Sequence, residues 1–87
     1  MENTPKIRIA CENALNAFRK LDSEKYSEII SKLEFVIGSY DFDKNPVGLY
    51  EFGEKALEII KQIKSENSRK IPKKLIEELE EALKEKN

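Results

Sequence analysis

Apolar residues recur at intervals of three and four along almost the whole chain, a spacing that only an amphipathic helix turns into a continuous face. Ile7, Ala10, Cys11, Ala14, Ala17, Phe18 and Leu21 fall on one side of a first segment. Tyr26, Ile29, Ile30, Leu33, Val36, Ile37 and Tyr40 do so in a second, and Leu49, Phe52, Gly53, Ala56, Leu57, Ile59, Ile60 and Ile63 in a third. A narrower stripe of Leu75, Ile76, Leu79, Ala82 and Leu83 marks a fourth. The spacing predicts helices near residues 5–21, 23–40, 46–65 and 72–86.

Local signals punctuate these segments. Thr4-Pro5 and Asn45-Pro46 each pair a capping side chain with a proline whose fixed φ suits a helix start, and Ile71-Pro72 opens the last segment. Asp22 is expected to cap the second helix, with Leu21 stapled on Tyr26. A turn that tight makes the first two helices antiparallel. The expected fold is therefore all-α, a small antiparallel up-and-down bundle of four helices. The fourth is expected to be short and weakly attached, because lysines at its start and glutamates after them oppose the helix dipole.

The stretch from Phe35 to Gly53 carries five of the seven aromatic residues and all three glycines. Phe35 lies outside the apolar face of its helix, about half a turn from Tyr26 at 100° per residue. Asp41 to Lys44 reads as a short polar loop holding Phe42, and Gly53, inside an apolar face, marks a place where another helix crosses closely.

A chain of 87 residues makes one domain. With 39% hydrophobic and 38% charged residues it fits a packed, highly charged fold and not disorder. Sixteen basic against seventeen acidic residues leave a net charge of −1, so no bulk field draws the chain to nucleic acid or anionic lipid. A single cysteine, the lack of an apolar leader after Met1 and the lack of an apolar run of about 18 residues point to the cytoplasm. The polar start and the charged finish Lys84-Glu85-Lys86-Asn87 read as natural ends.

The chain has no histidine, which removes the commonest general base and metal ligand and weighs against catalysis. Cys11 reads as a small buried hydrophobe. Asp41-x-Asp43-x-Asn45 begins like a calcium loop, but Pro46 and Phe52 stand where an EF-hand needs glycine and glutamate, so no metal is expected. Asp22-Ser23 at the head of the second helix resembles the attachment site of acyl carrier proteins over those two residues, which would imply a pantetheine group on Ser23. Glu24 and the tight turn favour a plain helix start, and no cofactor is expected. Size and architecture alone resemble bacteriocin-immunity proteins.

Two functions fit these residues. The first is a small protein-interaction module, an adaptor, inhibitor or immunity-type protein or a homodimer, whose partner-binding residues are Phe35, Phe42 and Tyr50. The second is a nucleic-acid-associated protein using the basic turn within residues 61–74, where Lys61, Lys64, Arg69, Lys70, Lys73 and Lys74 gather. Aromatic platforms for bases are missing from that turn, so the first reading leads.

Overall fold

In the computed structural model, residues 5–85 are described, and they form four helices: α1 (Lys6–Asp22), α2 (Ser27–Asp43), α3 (Val47–Glu66) and α4 (Lys73–Lys84). Each packs on its neighbours in sequence, α4 closes the ring against α1, and α1 also meets α3 across the middle. The bundle is antiparallel and up-and-down, as expected.

Side-chain pairs state the directions. Arg8 near the start of α1 binds Asp41 near the end of α2, and Lys6 reaches Glu81 near the end of α4 at 3.0 Å. Lys61 on α3 pairs with Glu80 on α4 at 3.0 Å, and Arg19 on α1 with Glu34 on α2. Exposed pairs of this kind contribute roughly 0–1 kcal/mol each, so they select register more than they stabilise. The Arg8–Asp41 pair has the best geometry: Nε and a terminal nitrogen donate to the two carboxylate oxygens at 2.8 Å each. That fork holds the Asp41 carboxyl below its ordinary range.

The apolar stripes meet in one core. Ile7, Cys11, Ala14 and Phe18 of α1, Leu33 of α2, Leu49, Ala56 and Ile60 of α3, and Leu79 and Ala82 of α4 have no exposed surface. Among the described residues no polar or charged side chain is buried. Phe18 takes Tyr26 as its ring partner, with centroids 5.3 Å apart. The close crossing expected at Gly53 is made by α1: a Cβ there would stand 3.0 Å from Ile7 Cδ1 and 3.3 Å from Cys11 Sγ.

Five expectations change. The second helix begins at Ser27, not residue 23, because residues 23–26 form a separate turn. Asp22 Oδ1 accepts from the N–H groups of Glu24 and Lys25 at 3.1 Å, so it caps that turn instead of the helix. The loop read at residues 41–44 is helix up to Asp43. No proline lies between Ser27 and Asn45 to stop it, and Lys44 ends it in the left-handed region at φ 61°, its N–H donating to the Tyr40 carbonyl. Prolines 5, 46 and 72 sit immediately before the first helical residue and not inside it. Asn45 supplies the expected cap bond to the Val47 N–H at 3.1 Å, whereas Thr4 lies outside the described residues.

The last change concerns α4. It is the shortest helix, at 12 residues, but it docks fully between α1 and α3. Ile71, just before it, is buried as well, and Lys64 Nζ donates to the Ile71 carbonyl at 2.9 Å. The apolar stripe outweighs the dipole penalty, since one well-buried leucine contributes about 1.5–3 kcal/mol against less than about 1 kcal/mol for a charge at a helix end.

Candidate interaction surface

With α2 continuous to Asp43, Phe35 and Phe42 stand seven residues apart on one helix, nearly in line along its axis and about 10.5 Å apart. Both project away from the core, 74% and 84% exposed. Between them on this outward face lie Gly38 and Ser39, exposed and uncharged, with Ser31 one turn before Phe35 and the charged Glu28 and Lys32 towards the start of the helix. In a chain more than a third of whose residues are charged, an uncharged stripe flanked by two phenyl rings stands out.

Gly38 sharpens the contrast. An interior glycine costs a helix about 1 kcal/mol against alanine, and Gly53 shows a reason within the chain for accepting that cost. At Gly38 an added Cβ would find no described atom within 4 Å beyond the helix's own neighbouring backbone.

Tyr50 is not part of this stripe. The α3 residues that face α2 are Gly48, set against Val36, and Phe52, whose ring lies 5.5 Å beneath Lys32 Nζ. Tyr50 is about 200° around the helix from each of them. It packs half-buried against the core and lines a shallow groove on α3 with Val47, Glu51, Glu54 and Glu58. Val47, 65% exposed beside this groove, is a surface residue that no sequence signal singles out. The alignment of Phe35 with Phe42 was missed because a seven-residue spacing carries meaning only if the helix runs through both.

Several of the other chemistry-bearing residues have uses inside the chain. Asp41 is held by Arg8, and Asp43 Oδ1 accepts from the Asn45 N–H at 2.9 Å. Ser23 lies exposed in the turn before α2. Of the basic turn, Lys61 is paired with Glu80 and Lys64 closes on loop carbonyls, while Arg69, Lys70, Lys73 and Lys74 remain exposed.

Cys11 is fully buried, and its thiol donates to the Leu49 carbonyl at 3.4 Å. Burial pushes the thiol up to about 12 from an ordinary 9.0. The unfolded thiol ionises near 9 and the folded one only near 12, so the stability owed to this group is intact below pH 9 and declines between those values. The decline is up to about 1.4 kcal/mol per pH unit. Denaturant titrations from pH 8 to 11 are expected to show a steeper loss for the wild type than for Cys11→Ala. Equal slopes would place the thiol in contact with water.

No described helix is long and apolar enough to cross a membrane. No family model matches the chain, and neither the curated proteins nor the solved structures contain a significant match to it.

Proposed function

We propose that this chain is a non-catalytic protein-interaction module of the cytoplasm whose contact surface is the outward face of α2, with Phe35 and Phe42 as its anchors. The observation that carries this reading is the pair of exposed phenyl rings aligned on one helix face with no charge between them. Aromatic side chains at interface centres bear a disproportionate share of binding energy, and the uncharged stretch between the two rings is cheap to desolvate. The absence of histidine from the sequence and of buried polar side chains among the described residues supports a binding role over a catalytic one. The lone cysteine, buried as a thiol, fits a reducing compartment.

The test compares wild type with Phe35→Glu/Phe42→Glu as baits in extract of the native host. Both rings lie outside the core, so the double variant is expected to melt within about 2 °C of wild type, as surface substitutions do. Proteins held by the wild type and released by the variant, a second copy of the chain included, support the reading. Identical sets of captured proteins would refute it.

A further inference from the structure

We infer that the outward face of α2 pairs with the same face of a second copy, the two α2 helices crossing antiparallel about a two-fold axis that passes between Gly38 and Ser39. This rests on the reading of that face as a binding surface and names its occupant.

The order of residues on the face is its own mirror about that point. Phe35 stands three positions before Gly38 and Phe42 three positions after Ser39, so a two-fold there sets Phe35 of each copy opposite Phe42 of the other. Gly38 and Ser39 lie on either side of the line joining the two rings, so each helix offers its smallest side chains where the axes cross. The glycine that no described residue outside its own helix approaches is then the point of closest approach of the partner helix. Ser31, Phe35, Gly38 and Phe42 follow the alternating four- and three-residue spacing of a coiled-coil seam.

Charges along the edges agree with this pairing. On the edge towards α1, Glu34 of one copy comes nearest Asp41 of the other. Each of these carboxylates already carries an arginine of its own chain, Arg19 for Glu34 and Arg8, shared with Glu12, for Asp41, so neither meets the other as a bare anion. On the edge towards α3, Lys32 of one copy comes beside Asp43 and Asn45 of the other, which is an attractive arrangement. A parallel pairing would instead set Phe35 against Phe35 and Phe42 against Phe42.

The size of the contact sets its strength. Four phenyl rings exposed to this degree remove on the order of 600 Å² from water between them. With the flanking small residues, this places the pair at the low end of specific interfaces, where association is reversible. Sedimentation equilibrium of the purified chain is expected to show the average mass rising from 10.1 kDa towards twice that value between roughly 10 µM and 1 mM. Phe35→Glu is expected to weaken the pair at least tenfold, and so is Gly38→Gln, which adds bulk at the crossing while favouring the helix. Spin labels on Ser31→Cys should sit about 22 Å apart along the axis of the antiparallel pair, against side by side in a parallel one. A wild type that stays at 10.1 kDa up to about 1 mM overturns the inference, as does a dimer indifferent to both substitutions, or labels side by side. A monomeric wild type whose captured partner is lost with the double glutamate variant sinks this pairing alone. An unchanged set of captured proteins sinks the underlying reading.

Discussion

Leu79→Ala is expected to lower the unfolding free energy by about 2–5 kcal/mol, a large part of the 5–15 kcal/mol that a domain commonly has. Leu79 has no exposed surface and belongs to a helix held between α1 and α3. Truncation removes buried methyl groups and leaves a cavity that two neighbouring helices, tied by their own contacts, cannot collapse to fill. Chemical denaturation with an unchanged m-value is the measurement. A loss below about 1 kcal/mol would mean that α4 is peripheral, held on by its charged pairs with Lys6 and Lys61 and not by its apolar stripe.

Gly53→Leu and Gly38→Ala are expected to move stability in opposite directions. At Gly53 the first added carbon would already stand 3.0 Å from Ile7 Cδ1 and 3.3 Å from Cys11 Sγ, with Leu83 Cδ2 at 3.8 Å. A whole leucine side chain must push α1 away or leave its rotamer, at a cost of about 1–3 kcal/mol or more. At Gly38 the added carbon enters open space, so alanine is expected to raise monomer stability by up to about 1 kcal/mol through helix propensity. Thermal melts at low micromolar concentration keep self-association out of the comparison. A destabilised Gly38→Ala would mean that some part of the chain packs over that face of α2.

These two glycines mark the limit of what the order of residues discloses. Each interrupts a helical pattern, and each is weak for a helix in the same way. The apolar company of Gly53 at helical spacing was enough to announce a crossing, since a glycine inside a buried stripe has to be facing something. Which helix crosses there could not be read, because the diagonal contact of α1 with α3 depends on how four cylinders of unequal width share one core. Nor could the emptiness around Gly38, which is a property of neighbours and not of the residue.

The candidate surface divides along the same line. The exposure of Phe35 was legible because a helix buries one stripe and Phe35 lies half a turn from it. Phe42 reads from sequence as a loop residue, since Asp41, Asp43 and Lys44 look locally like a polar break. The helix persists through them because tertiary structure supplies Asp41 with an arginine from α1 and lets Lys44 take the left-handed turn that ends α2 three residues later than expected. That extension puts the two rings in line.

By itself, then, the sequence determined the class of fold, the number of helices, their antiparallel course and nearly every core position, because helical periodicity is a local property that hydrophobic burial reads directly. Tertiary structure alone decided that α4 belongs to the core, that Tyr50 turns away from the α2 face, and that Phe35, Gly38 and Phe42 form one stripe. These depend on where helices end and on which neighbours stand across from them, and both are set by contacts between residues far apart in the chain.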